Sequence, residues 1–189
     1  NASVSGDTSA AIRQRFAFAL DNQPQKPDLV IVELGGNDML RGISPAETRA
    51  NLDAILTELA SRELKVLVMG MLAAPNLGPD YGAEFNSIYP QLARKHGAAL
   101  VPFFLQPVMD KPDLLQADRI HPNALGIEEM VAATVGEVAK AATASATVWR
   151  DDAASGIRPV EPANTGADRE TRRLQAARPP TASERAQVS

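Results

Sequence analysis

The sequence predicts an α/β fold built around a parallel sheet. Short, nearly continuous apolar runs alternate with segments of helical period, and the boundaries between them carry helix-start and helix-stop chemistry. Residues 8–20 read as a helix, with Ile12, Phe16 and Leu20 recurring one turn apart and Asp7 or Thr8 available as a cap. Residues 29–34 (Leu-Val-Ile-Val-Glu-Leu) form a strand whose near-continuous apolar character suits cover by helices on both faces. Gly35-Gly36-Asn37-Asp38 marks its end. Ser44-Pro45-Ala46-Glu47 opens the next helix with an N-cap, a proline at the first helical position and the glutamate of a capping box; Leu52, Ile55, Leu56 and Leu59 make its buried stripe. Residues 65–71 form a second strand. The Gly-, Pro- and Asn-rich residues 72–82 read as a long loop. Phe85, Ile88 and Leu92 mark another helix, closed by Gly97, and residues 99–104 form a third strand. A last helix spans about residues 123–142, with Ile127, Met130, Val131, Val135 and Val138 expected to face inward.

Length and composition narrow the function classes. The 189 residues suit one domain with a tail, and 44% hydrophobic with 22% charged residues is an ordinary globular balance. A net charge of −4 argues against nucleic-acid binding through a broad basic surface and against a polybasic membrane anchor. No cysteine is present, which excludes disulfides, a thiol nucleophile and iron–sulfur or zinc-thiolate sites. Two histidines, His96 and His121, are too few for a three-histidine metal site. No apolar run approaches the roughly 18 residues of a membrane helix. Past Ala144 the apolar periodicity gives way to Pro, Arg, Asp and Glu, so residues 144–189 are expected to be mostly disordered. The first residue is Asn1, not Met, and no signal peptide is visible, so the sequence is expected to begin partway through a larger protein.

Three segments carry candidate chemistry. In Asp118-Arg119-Ile120-His121-Pro122 the carboxylate can accept a hydrogen bond from the imidazole Nδ1–H if the loop turns, leaving Nε2 as a general base; alone, the same string is also a surface loop. Pro122 keeps His121 out of helical geometry, just before the last helix. Gly35-Gly36-Asn37-Asp38 lies at the carboxyl end of a buried strand, where open α/β sheets place ligands, and the Asn37 amide is a neutral donor for an oxyanion. Alone, it is equally a tight turn. Ser5-Gly6-Asp7-Thr8-Ser9 enters the first helix, where backbone N–H groups suit an anion and Gly6 permits close approach; plain capping explains it as well. His96, in the last turn of a helix, reads as structural.

Taken together, Asn1-Ala-Ser-Val-Ser-Gly-Asp-Thr-Ser9, Glu33-Leu-Gly-Gly-Asn-Asp38 and Asp118-Arg-Ile-His-Pro122 resemble the ordered blocks of the SGNH (GDSL) hydrolases. With Val101-Pro-Phe-Phe104 and Ala74-Pro-Asn76, the likeness is to the bacterial arylesterase, acyl-CoA thioesterase and lysophospholipase branch, over roughly residues 1–140. The resemblance implies a flavodoxin-like three-layer α/β/α domain over residues 1–143 with a parallel sheet. It implies an ester or thioester hydrolase working by serine acyl transfer on a small-molecule acyl substrate, with no metal or other cofactor. By motif position, Gly6 and Asn37 would supply the oxyanion hole, His121 the general base and Asp118 its orienting partner. A periplasmic or secreted location is implied by the same resemblance.

The family's Gly-Asp-Ser-Leu block, which bears the nucleophilic serine, is absent from these residues, and with it the first strand. Gly6-Asp7-Thr8-Ser9 matches the second block better than the first, so neither Thr8 nor Ser9 is expected to replace the nucleophile. The alternative to a hydrolase is an inactive fragment or remnant that at most binds acyl ligands. Met39, Leu40, Met71 and Leu72 either line an acyl groove or belong to the core.

Overall fold

The computed structural model describes residues 1–144. Helices and strands alternate along them as α1 (Ser9–Asp21), β1 (Val30–Glu33), α2 (Gly36–Leu40), α3 (Pro45–Ser61), β2 (Val66–Met69), α4 (Pro79–His96), β3 (Ala99–Val101) and α5 (Ala124–Thr143). Single 3-10 turns occupy Pro75–Leu77, Gln106–Val108 and Pro112–Leu114. The expectation for the tail concerns residues that, past Ala144, lie outside those described.

The strands form one parallel sheet in the order β1-β2-β3, with Val32 opposite Val68 and Val68 opposite Leu100. Side chains alternate across it and define three layers. Val32 and Val68 enter the larger core with Leu52, Ile55, Leu56 and Leu59 of α3 and Phe85, Ile88 and Leu92 of α4; α1 adds Ile12, Phe16 and Leu20 at its edge. Leu67, Met69 and Ala99 face the other way, onto Ala141 and Val138 of α5. The α3 stripe is therefore buried as its period predicts.

Local chemistry sets the helix ends. Thr8 Oγ1 accepts from Ala11 N–H at 3.3 Å, and Ser44 Oγ accepts from Glu47 N–H at 3.2 Å. Of the expected capping box only this serine arm forms among the described hydrogen bonds. Gly97, at φ 61°, ends α4 in the left-handed conformation.

Three expectations are corrected. Helix α4 begins at Pro79, inside the stretch read as a loop, because Pro79 occupies the first helical position and Tyr81 stacks on Phe85 with ring centroids 5.7 Å apart. Strand β1 is covered on one face only: Val32 is buried, whereas Ile31 stays 47% exposed, because α5 lies over β2 and β3. On α5, Met130 and Val138 turn partly inward, but Ile127, Val131 and Val135 face solvent. The rotation is fixed where the helix starts. Gly126 backs onto the Leu114 carbonyl so closely that a Cβ would lie 2.3 Å from its oxygen. The inward line then runs through Gly126, Met130, Thr134, Val138 and Ala141.

No helix among the described residues is long and apolar enough to cross a membrane.

Candidate active site

Parallel strands put their carboxyl ends on one side of the sheet, and the helices running back begin there. The turn after β1, the loop entering α1 and the loop entering α5 thus all lie toward that side.

The opening loop bends at Ser5-Gly6, where Gly6 takes φ 83°, a conformation costly for a side-chain-bearing residue. Asp7 N–H closes the turn onto Val4 O at 3.2 Å, while the Gly6 N–H has no hydrogen-bond partner among the described residues. The turn after β1 is a short helix, α2, rather than a simple turn. Its entry, Gly35 at φ 103°, leaves room for Tyr89, whose hydroxyl donates to Leu34 O at 2.9 Å; a Cβ on Gly35 would sit 2.2 Å from that hydroxyl. From α2 the Asn37 Nδ2 donates to Asp7 O at 3.0 Å. This joins the two expected oxyanion segments directly. A primary amide has two N–H donors, so one remains for a substrate oxygen.

The neighbours of Asn37 reinforce the junction. Asp38 is 1% exposed, and its carboxylate accepts from Ser9 N–H at 2.8 Å, from the Ser9 hydroxyl and from Thr48 Oγ1 at 3.2 Å. Asn51 Nδ2 in turn donates to Ser9 Oγ at 3.2 Å. The Arg41 guanidinium donates to Gly6 O at 2.6 Å, and Asp7 itself pairs with Arg15 at 2.5 Å. Sequence reasoning missed Asp38 and Arg41, because their partners lie 29 and 35 residues away. A carboxylate beside the candidate Asn, on a turn of otherwise small or apolar residues, was the one available signal. Ser9 is fully buried within this network, and Thr8 Oγ1 is occupied as a cap.

The second pair forms as the spacing predicts. His121 Nδ1 lies 2.7 Å from Asp118 Oδ2, while Asp118 Oδ1 accepts from Ile120 N–H at 2.9 Å and His121 N–H at 3.0 Å. Arg119, at φ 56°, makes the turn that brings His121 back over Asp118. The His121 backbone bond, then its ring, then the Ile120 amide stabilise the ionised carboxylate and pull the Asp118 pKa down to about 2. The loop is anchored by Gln116 N–H to His121 O at 2.7 Å, and Asn123 caps α5 through Gly126 N–H at 3.0 Å. His121 Nε2 has no partner among the described residues, and its side chain is 64% exposed.

Gly6 is thus brought together with Asn37, and His121 with Asp118; no hydrogen bond joins the two pairs among the described residues. His96 is elsewhere, bonded through Nε2 to Asp53 at 2.6 Å between α4 and α3. Lys95 and His96 together hold the Asp53 pKa below the ordinary carboxylate range. Met39 and Met71 are buried in the core, while Leu40 and Leu72 are exposed, so the four residues do not line a common groove. A cleft lined by Leu20, Lys26, Pro27 and Leu64 sits at the amino ends of the strands, away from all candidate residues. A second one is lined by Met109, Leu115, Arg119 and Ile120 among others, the last two from the loop that carries His121.

Comparison with known proteins identifies the family. Residues 1–128 match the model of the GDSL-like lipase/acylhydrolase family. An esterase of Pseudomonas aeruginosa, TesA, is 44% identical over 122 residues, covering 65% of this chain and 60% of that protein. The thioesterase 1/protease 1/lysophospholipase L1 of Escherichia coli K12 is 42% identical over 123 residues, covering 65% and 58%. The chain therefore spans about three fifths of the length of these relatives. The crystal structure of AlinE4, an SGNH-hydrolase family esterase, superposes with a TM-score of 0.62 at 61% identity, over 76% of each chain. A family match over well more than half of the residues, on a parallel sheet whose second and third motif blocks meet through hydrogen bonds, leads to one assignment: the chain belongs to the GDSL-like lipase/acylhydrolase family.

Proposed function

We propose that the chain supplies the general base and the oxyanion hole of a serine acyl-transfer site that hydrolyses carboxylic esters or thioesters. The nucleophilic serine lies outside these 189 residues. The observation that carries the reading is the Asp118–His121 bond of 2.7 Å, with the rest of the carboxylate held by two backbone amides. An ionised carboxylate on Nδ1–H fixes the imidazole with Nε2 free to take a proton. The names of the relatives, esterase and thioesterase, support an acyl substrate.

The steps follow from these groups. The serine oxygen bonds to the acyl carbon while His121 Nε2 takes its proton. The carbonyl oxygen becomes an oxyanion, met by the Gly6 N–H and the free Asn37 N–H. On collapse, the bond to the leaving alcohol or thiol breaks and His121 returns the proton to it. Water, deprotonated by the same nitrogen, then releases the acid and the serine. Each oxyanion donor of this kind is worth about 2.7–4 kcal/mol of barrier in other hydrolases.

The test joins the 189 residues to an upstream strand, Gly-Asp-Ser-Leu block and helix of an SGNH hydrolase, and follows p-nitrophenyl butyrate. The joined protein should turn over, and a serine-to-alanine version of the block should fold without activity. His121→Ala in the joined protein should lower kcat by several orders of magnitude. The unjoined chain should be inactive; robust turnover by it, abolished by Thr8→Ala or Ser9→Ala, would overturn the reading.

A further inference from the structure

The Gly6 turn has little packing of its own. Residues 1–5 are exposed, and glycine has no Cβ to hold its backbone at φ 83°. The Asp7 N–H to Val4 O bond of 3.2 Å closes the turn without tying it to the rest of the protein. Two bonds from the α2 segment do that, and they take consecutive carbonyls. Asn37 Nδ2 donates to Asp7 O at 3.0 Å, and the Arg41 guanidinium donates to Gly6 O at 2.6 Å. Asn37 is itself a candidate oxyanion donor, so its amide has to serve both loop and substrate. Arg41 has no other side-chain bond among the described residues, and Gly6 O accepts no other.

The backbone from which Arg41 reaches is fixed. Arg41 ends α2, with its N–H on Asn37 O at 3.1 Å and Asp38 O at 3.2 Å. Gly42 N–H follows onto Met39 O at 3.0 Å, and Ile43 N–H onto Asp38 O at 3.0 Å. From α4, the Tyr81 hydroxyl donates to Ile43 O at 2.8 Å. The guanidinium lies on the open face of Gly6, where a Cβ would stand 3.6 Å from Nη2. A bond from a charged donor is stronger than one between neutral groups. The Gly6–Asp7 peptide is thereby held at both ends, its oxygen by Arg41 and its N–H by Val4 O. Only the two Gly6 torsions separate that plane from the Gly6 N–H.

We propose that Arg41 is a positioning residue for acyl transfer: its bond to Gly6 O fixes the plane from which the Gly6 N–H is aimed at the oxyanion. The kinetic consequence rests on the acyl-transfer reading, whereas the hold on Gly6 stands apart from it.

The experiment compares Arg41→Ala and Arg41→Lys with the parent, both in the 189-residue chain and in the joined protein. In the 189-residue chain, nitrogen-15 relaxation should show the Gly6 amide falling from an order parameter of about 0.85 toward about 0.6 in Arg41→Ala. It should stay high in Arg41→Lys, because an ammonium can still make one charged bond to a single carbonyl. In the joined protein, Arg41→Ala should lower kcat for p-nitrophenyl butyrate roughly tenfold, less than the roughly 100- to 1000-fold loss when a donor is removed outright. KM should stay within about twofold, since the bond acts on the transition state. Arg41 is exposed, so thermal unfolding should stay within about 3 °C of the parent. Arg41→Lys should recover kcat to within about threefold. An ordered Gly6 amide in Arg41→Ala, a KM that rises while kcat holds, a kcat loss that tracks a fall in unfolding temperature, or no recovery in Arg41→Lys would each overturn the proposal. If the joined protein is inactive while Gly6 loosens in Arg41→Ala, the catalytic reading alone falls. If it turns over and Arg41→Ala changes neither kcat nor the Gly6 amide, the Arg41 assignment alone falls.

Discussion

Replacing Asp38 tests whether a single buried carboxylate holds together the two segments proposed to form the oxyanion hole. In Asp38→Ala, the Ser9 N–H, which donates to Oδ2 at 2.8 Å, loses its acceptor inside the protein. A buried donor left unsatisfied costs about 1–3 kcal/mol. The Ser9 hydroxyl loses its acceptor too, though its oxygen still accepts from Asn51. Thr48 Oγ1 can fall back on Ser44 O at 3.3 Å and contributes little to the loss. The sum is about 2–5 kcal/mol, a large share of the stability of an ordinary domain. Asp38→Asn should cost less, about 1–2 kcal/mol, because its carbonyl can still face the Ser9 amide while its NH2 donates to the two hydroxyls. Urea unfolding of parent and variants gives these differences. Amide exchange adds the local readout: Ser9 and the loop before it should lose protection beyond what the global change explains. An Asp38→Ala chain within about 0.5 kcal/mol of the parent, with Ser9 protection intact, would refute the reasoning.

Three other outcomes are expected. The Asp118 carboxyl, held near pKa 2 against 3.8 for the ordinary group, favours the folded loop above about pH 4, and this contribution is lost as the pH falls through 2; carboxyl-carbon NMR should find that low midpoint, moving upward in His121→Ala. Gly35→Ala should destabilise by about 3 kcal/mol or more, from φ 103° and the clash with the Tyr89 hydroxyl, and Gly35→Ala with Tyr89→Phe should recover only the clash part in thermal unfolding. Val131→Gln should change unfolding free energy by less than about 0.5 kcal/mol, whereas Leu56→Ala should cost about 2–5 kcal/mol, since the first is 56% and the second 1% exposed.

What the sequence disclosed was whatever short-range chemistry governs. The Ser44-Pro45 start, the α3 stripe and the Asp118–His121 bond depend on residues within a few positions of each other, and each formed. What it concealed was set by distant partners. Period alone gave α5 an apolar arc running from Ile127 to Val138, wide enough to face the sheet in more than one rotation. The choice was made by Gly126 pressed on the Leu114 carbonyl, a contact with a loop whose course no helical period records. The same holds for the site. Asn37 and Gly6 were legible as separate candidate donors because each sits in a turn with its own local signature. The groups that hold them in register, Asp38 on Ser9 and Arg41 on the Gly6 carbonyl, act across about 30 residues and carry no local mark. A donor can therefore be read from its turn, but its aim depends on long-range bonds, and an oxyanion hole is catalytic only when already aimed. Local sequence thus names the candidate donors, whereas the buried network around Asp38 decides whether they act as a pair.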